Sequence, residues 1–174
     1  MRLRVLYHGN CFDGCSSAGV FSRFYRERIA KGPVDVAYRP LGDIAADPYV
    51  ATPLAALLEQ HQRNIEAIRA VAKLENGVIF FDLADRDIGP FNKFITYYLF
   101  PEARYSVGLT AASRAKISVG SNPWSKVPRT HEINKICERY GGGGHPVVGA
   151  ISMPKADLPK AKQIAQDIIK ELQT

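Results

Sequence analysis

The segment from residue 8 to residue 14, HGNCFDG, combines side chains that bind metal ions with glycines that allow a sharp turn. Imidazole and carboxylate groups are both ligands of Mn²⁺ or Zn²⁺, so His8 and Asp13 are candidate metal ligands. Gly14 lets the backbone turn toward a ligand, and a serine just after it could cap a helix or donate to a phosphate. The alternative is a capped helix beside a histidine that only packs. Two protein ligands are too few for a typical metal site, so the metal interpretation requires others from elsewhere in the chain.

A second segment, residues 140–150, reads YGGGGHPVVGA and carries four consecutive glycines. Such a run costs much conformational entropy on folding, and a simple connector has no need of it. Amides without side chains can instead surround an anionic oxygen, and a histidine adds a hydrogen-bond donor beside them. We therefore expect a substrate phosphate to be bound by Gly141, Gly142, Gly143, Gly144 and His145. The alternative is a flexible loop between a helix and a strand.

Positive charge is concentrated between residues 104 and 139, where seven basic residues stand against two acidic ones. This excess could guide an oligonucleotide or a polyphosphate to the glycines. Arg114 and Lys116 lie in or beside a predicted strand, where alternate residues share a face, so both could contact one phosphate. A solvated surface would explain the same charges without any ligand.

Other side chains have both a functional and a structural interpretation. Asp82, Asp85 and Asp87 could bind a divalent ion, although such a cluster is more often a polar turn. The three cysteines together with His131 could form a zinc site, but the absence of a paired C-x-x-C argues against this interpretation. Trp124 could stack on a nucleobase or pack against the core.

Three further aromatic residues, Phe94, Tyr97 and Tyr98, are most simply interpreted as core residues.

The elements predicted around these residues are typical of an α/β fold. A strand at 3–7, a helix at 16–29 and a strand at 34–38 form a β-α-β unit, whose crossover favours parallel pairing. We expect this Rossmann-like β-α-β remnant over residues 1–40 and a mixed-sheet α/β domain over residues 41–174. The elements predicted in the second domain are strands at 78–81, 105–109, 116–119 and 146–152 and helices at 52–76, 90–100, 130–140 and from 157 onward.

The GGGGH sequence near the end of a mixed α/β domain resembles the C-terminal substrate-binding domain of the DHH phosphoesterase superfamily, over about residues 50–153. The turn from His8 to Gly14 resembles the first metal-binding motif of that superfamily. The resemblance implies a phosphoesterase that hydrolyses short oligonucleotides, cyclic dinucleotides or related phosphates at a two-Mn²⁺ site. It also implies that His8 and Asp13 bind metal, and that residues 142–145 hold the terminal phosphate or nucleotide end of the substrate.

The sequence departs from that superfamily in two ways. Cys11 stands where an aspartate is common, and no Asp-His-His triplet occurs anywhere in the chain. We therefore expect an internal deletion near Pro40-Leu41 and impaired hydrolysis. The alternative is a module that binds a nucleotide or oligonucleotide without cutting it. A two-strand remnant also exposes apolar surface and strand edges, which favours self-association as a homodimer.

The overall composition excludes wholesale disorder, since 46% of the 174 residues are hydrophobic and 23% are charged. The net charge of +6 is compatible with an anionic partner. No apolar run approaches the roughly 20 residues needed to span a bilayer, so no contact with a membrane is expected. Three cysteines are too few for a disulfide framework, and the expected compartment is therefore a reducing cytoplasm.

Overall fold

The computed structural model describes residues 1–7, 12–40 and 48–174 of the chain. These residues form two compact units, Met1–Gln60 and His61–Thr174. The first unit holds a two-stranded parallel sheet and the second a six-stranded mixed sheet. The α/β class predicted from the sequence, a β-α-β unit followed by a mixed-sheet domain, is confirmed. The domain boundary that we expect between residues 40 and 41, and the internal deletion near it, stay predictions.

The first unit is the predicted β-α-β unit. Its elements are β1 (Arg2–Tyr7), α1 (Phe12–Phe24) and β2 (Asp35–Pro40). A single π-helical turn, Tyr25–Ile29, follows α1 directly. Helix α1 begins before the predicted start at Ser16, so the last residues of the predicted metal-binding turn are helical in the structure.

Helix α2 (Pro48–Arg69) differs from its prediction at both ends. It begins before Thr52, which we expect to cap it, and Pro53 lies inside it. It ends well before Asn76-Gly77, because these two residues form the turn of a hairpin instead of a helix terminus. Both have positive φ angles, 47° and 80°, as the favoured two-residue hairpin turn requires.

The six strands of the second unit lie in the order β3-β4-β5-β6-β8-β7. Strands β4 and β5 pair in parallel, and the other neighbouring strands pair in an antiparallel manner. The strands are β3 (Lys73–Glu75), β4 (Val78–Leu83), β5 (Tyr105–Ala111), β6 (Arg114–Ser121), β7 (Gly143–His145) and β8 (Val148–Pro154). The sequence does not predict β3 and β7, because three residues are too few to establish the period of two that identifies a strand.

The remaining helices belong to the second unit. They are α3 (Ile95–Leu99), α4 (Ile133–Glu138) and α5 (Leu158–Leu172). The first two are shorter than their predictions, whereas α5 has the predicted length and apolar face. No helix within residues 1–7, 12–40 and 48–174 is both long and apolar enough to cross a membrane.

The two faces of the six-stranded sheet have different surroundings. Side chains such as Ile117, Val119 and Ile151 point to one face, where they are buried with residues of α4 and α5 in a single core. On the other face, Ile65 and Ile68 of α2 pack against β4 in a second core. Along β6, the residues that alternate with the buried ones are exposed from Arg114 to Ser118. The sheet is therefore covered completely on one face and only in part on the other.

Removing a side chain from the first core tests this arrangement. Ile168 of α5 is fully buried, and the substitution Ile168→Ala should lower the free energy of unfolding by about 2–5 kcal/mol because it leaves a cavity. Urea denaturation followed by circular dichroism measures the change. The control is Lys170→Ala on the exposed side of the same helix, which should shift the midpoint little. Equal midpoints for both variants would contradict the packing of α5 on the sheet.

Candidate substrate-binding site

The predicted glycine loop contains a strand. Gly143–His145 form the edge strand β7, in which Gly143 lies opposite Ala150 and His145 lies opposite Val148 of β8. The hairpin turn between the two strands is Pro146-Val147. This paired geometry argues against the alternative of a flexible connector between α4 and β8.

Three of the four consecutive glycines have a structural reason to be glycine. Gly141 has a φ angle of +74° and follows α4, where the amide of the next residue donates to the carbonyl of Cys137 over 2.9 Å. A Cβ on Gly142 would overlap the carbonyl oxygen of Ala150. A Cβ on Gly144 would overlap that of Val148. These glycines allow β7 to lie against β8.

Gly143 is different from its neighbours. A Cβ built on it meets no other atom within 4 Å, and its φ angle lies outside the left-handed region. Neither packing nor backbone conformation therefore requires a glycine here. What the missing side chain provides is an accessible stretch of backbone, which a ligand can approach closely.

Strand pairing places the predicted site residues on one face of the sheet. Residues directly opposite each other in antiparallel strands point to the same side, and the registers of β6, β8 and β7 therefore define a common set. We call this set the open face, and its members are Arg114, Lys116, Ser118, Gly120, Gly143, His145, Val148, Ala150, Ser152 and Pro154. Most of these residues are small or polar, and none is fully buried.

Arg114 and Lys116 lie on the open face but not beside His145. Gly120 is the β6 residue level with His145, and Lys116 is four residues away along the strand, or roughly 13 Å. The Arg114 guanidinium donates to the Ser152 hydroxyl over 2.9 Å. Arg114 and Lys116 therefore lie farther along the open face than His145, and their contact with one phosphate stays a prediction.

Other basic residues of the 104–139 segment contact groups outside the open face. Lys135 pairs with Glu138 over 3.2 Å, and Arg139 pairs with Glu171 of α5. The Arg129 guanidinium donates to the carbonyl of Pro146 in the β7–β8 turn. Arg129 thus supports the turn that follows His145, a role that its position in the sequence does not indicate.

Tyr97 borders the open face at its Gly120 end. Its hydroxyl lies 2.8 Å from the Ser106 hydroxyl. A Cβ built on Gly120 would lie 3.1 Å from the same hydroxyl, which is closer than ordinary van der Waals contact. Burial raises the pKa of Tyr97 to about 12, so its hydroxyl is protonated at neutral pH. Its prediction as a core residue is confirmed. Phe94 and Tyr98 are exposed, and their prediction as core residues is wrong.

The structure does not test the predicted metal site of His8 and Asp13. His8 lies outside the described residues, and Asp13 lies in the first turn of α1. Within residues 1–7, 12–40 and 48–174, no three histidine, cysteine, aspartate or glutamate residues gather closely enough to hold a metal ion. These residues therefore supply no donor set that fits Mn²⁺, and we derive no chemical step through a metal.

The remaining polar candidates stabilise the fold. Asp82 accepts a hydrogen bond from the amide of Ala84 and pairs with Lys162 over 3.2 Å, and Asp87 accepts one from the amide of Gly89. This geometry is the polar turn that is the alternative to a metal site. Burial, together with the nearby Glu138 carboxylate, raises the pKa of the Cys137 thiol to about 11, so it is neutral at physiological pH.

The fold is similar to several solved structures. A pGpG-specific phosphodiesterase from Vibrio cholerae shares 18% identity and a TM-score of 0.63, over 91% of this chain and 52% of that one. The DHH domain of a protein from a family of ribosomal proteins shares 15% identity and a TM-score of 0.50, over 76% of this chain and 36% of that one. The chain therefore shares its fold with these two proteins, one of which is a DHH domain.

A third solved structure is less similar to the chain. An exopolyphosphatase-related protein from Bacteroides fragilis shares 18% identity and a TM-score of 0.45, over 66% of this chain and 36% of that one. No protein-family model and no curated protein sequence matches the chain. The chain spans about half the length of the phosphodiesterase that it resembles.

The different roles of neighbouring glycines can be tested by stability measurements. Gly142→Ala should destabilise the protein by about 1–3 kcal/mol, because its Cβ overlaps the backbone of β8. Gly143→Ala should change the stability by less than about 1 kcal/mol, because its Cβ points into open space. Thermal unfolding of the two variants beside the wild type measures the contrast. Equal destabilisation by both substitutions would contradict the position of β7.

Proposed function

We propose that this protein is a phosphoesterase of the DHH type, and that the open face of its second unit binds the phosphate end of a nucleotide or short oligonucleotide. The observation that carries the proposal is the contrast among the four glycines. Three of them are explained by the backbone, whereas Gly143 leaves open space beside an exposed histidine. A position that is glycine without a structural need is most simply explained by the close approach of a ligand.

The chemistry of the open face suits a phosphate group. Strand β7 (Gly143–His145) is the last strand of the sheet, so the backbone groups on its outer side have no neighbouring strand to pair with. The imidazole of His145 is exposed and can donate a hydrogen bond to a phosphate oxygen. Lys116 and Arg114 supply positive charge farther along the face, at a distance that suits a second phosphate of a longer ligand.

The comparisons support the choice of substrate class. One protein with this fold is a phosphodiesterase specific for pGpG, a 5′-phosphorylated dinucleotide. A ligand of that length would extend from His145 toward Lys116 along the open face. Phosphodiester and phosphoanhydride bonds of short oligonucleotides or cyclic dinucleotides are therefore the proposed substrates, and Mn²⁺ is the metal that the resemblance implies.

Ligand binding by variants of the open face tests this proposal. Gly143→Val should abolish tight binding of a 5′-phosphorylated dinucleotide, because the side chain occupies the space of the ligand. His145→Ala should weaken binding about ten- to a hundredfold, because a hydrogen bond to a charged group contributes about 1.5–3 kcal/mol. Isothermal titration calorimetry measures the dissociation constants.

The matched control for these variants is Lys126→Ala, which removes an exposed positive charge outside the open face. It should cost less affinity than His145→Ala, and mainly at low salt. Thermal unfolding of each variant separates loss of binding from loss of fold. Wild-type affinity in both Gly143→Val and His145→Ala would show that the hairpin does not bind the phosphate.

A module that binds nucleotides without cutting them is the second candidate. It is favoured by the absence of an Asp-His-His triplet from the sequence and by the presence of only two candidate ligands, His8 and Asp13, in the first motif. Two ligands should hold Mn²⁺ weakly, so calorimetry should detect no tight Mn²⁺ binding and added Mn²⁺ should not produce rapid hydrolysis of pGpG. Efficient hydrolysis would exclude this second candidate. A submicromolar Mn²⁺ site that survives His8→Ala and Asp13→Ala would contradict the ligand assignment.

Two properties beyond the site also stay proposals. Exposed apolar side chains on α1, among them Val20, Phe21 and Phe24, are compatible with self-association as a homodimer. Sedimentation that detects a stable monomer independent of salt would contradict it. A cytoplasmic location rests on the low cysteine content alone.

A further inference from the structure

A concave pocket in the second unit is lined by aromatic rings, most of them exposed. It has a volume of about 460 Å³ and is bordered by Phe94, Tyr97, Tyr98, Trp124 and His61. Trp124 is 67% exposed and Tyr98 is 72% exposed, which is high for such large aromatic side chains. The Phe94 and Trp124 rings meet edge to face, with 5.2 Å between their centroids. Such an arrangement offers flat aromatic surfaces to a ligand.

The pocket wall is held in place by hydrogen bonds. Asn122, which is 7% exposed, donates through its side-chain amide to the carbonyl of Ala103 over 2.8 Å. Its side-chain oxygen accepts a hydrogen bond from the amide of Trp124 over 3.0 Å. The amide of Phe94 donates to the side chain of Asn92 over 2.9 Å. The backbone that carries the two rings is therefore fixed before a ligand binds, which lowers the entropic cost of binding.

The pocket adjoins the open face. Tyr97 borders both, since its side chain lines the pocket and its hydroxyl lies next to Gly120. Gly120 is separated from His145 by two strand spacings, through Val148 of β8, or roughly 9–10 Å. A group held in the pocket and a phosphate held at His145 are thus within reach of one nucleotide-sized ligand.

We propose that this aromatic pocket binds a nucleobase of the ligand whose phosphate lies at Gly143 and His145. The inference rests on the proposed function, since it assigns the base of the same ligand. Nucleobases are flat and stack on aromatic side chains with little dependence on sequence. The pocket combines such rings with the amide of Asn92 and the imidazole of His61 at its edge. Phosphates without a base would leave the pocket empty.

Trp124 is the only tryptophan of the chain and reports on its own pocket. Binding of guanosine 5′-monophosphate should quench its fluorescence, whereas ribose 5-phosphate, which lacks the base, should not. Tyr98→Ala, which leaves the tryptophan in place, should weaken the nucleotide about five- to hundredfold, the range expected for loss of one stacking contact. Tyr38→Ala, at an exposed tyrosine of the first unit, is the matched control and should leave the affinity unchanged. Calorimetry with Trp124→Ala and Trp124→Phe completes the series, since the phenylalanine variant should retain more affinity.

The outcomes separate the pocket from the phosphate site. In one outcome, binding depends on His145, but the ligand does not change the tryptophan fluorescence and Tyr98→Ala binds with wild-type affinity. This result would overturn the pocket and leave the proposed function intact. Quenching by guanosine 5′-monophosphate that is insensitive to His145→Ala would support the pocket and overturn the phosphate site. Absence of binding by any of these ligands would overturn both. Quenching by an apolar peptide but by no nucleotide would identify the pocket as a protein-docking site and overturn the inference.

Discussion

The candidate site depends on the close contact between the backbones of β7 and β8. Strand β7 can pair with β8 only because Gly142 and Gly144 have no Cβ, since any side chain there would overlap the carbonyl oxygens of β8. A similar constraint acts from the opposite side, where a Cβ on Gly149 would lie 2.6 Å from the Cys137 sulfur. The hairpin is therefore packed closely against Cys137 of α4 on one face of the sheet. Its position fixes where His145 projects.

The position of His145 matters because only one face of the sheet is fully covered. On one face, α4 and α5 bury the apolar side chains of β5, β6 and β8 in a continuous core that stabilises the unit. On the other face, the second core covers β4. Strands β6, β8 and β7 carry small or polar residues on that face. The core that stabilises the unit and the proposed binding surface thus lie on opposite faces of the same strands. A ligand can contact the open face without disturbing the core.

Much of this architecture could be predicted from the sequence, and the failures have physical causes. The period of two in β6 and the amphipathic pattern of α5 identify elements that bury one side of a regular structure. The prediction of Asn76-Gly77 as a helix end is wrong, because the same left-handed residues serve a helix terminus and a hairpin turn. The GGGGH segment indicates a site, but no local signal distinguishes a strand of glycines from a loop, since its pairing depends on β8. Likewise, the exposure of Tyr98 and Trp124 depends on how distant segments pack.

The proposed site depends most on one contact, that of a ligand phosphate with Gly143 and His145 on the open face. Two-dimensional ¹H–¹⁵N spectra of the protein during titration with a 5′-phosphorylated dinucleotide test it most directly. We expect the amide signals of Gly143 and His145 to move most, together with that of Ser118 on the neighbouring part of the open face, while those of α5 stay in place. Signals that move only at α5 or in the buried core, with Gly143 and His145 unchanged at saturation, would contradict this contact.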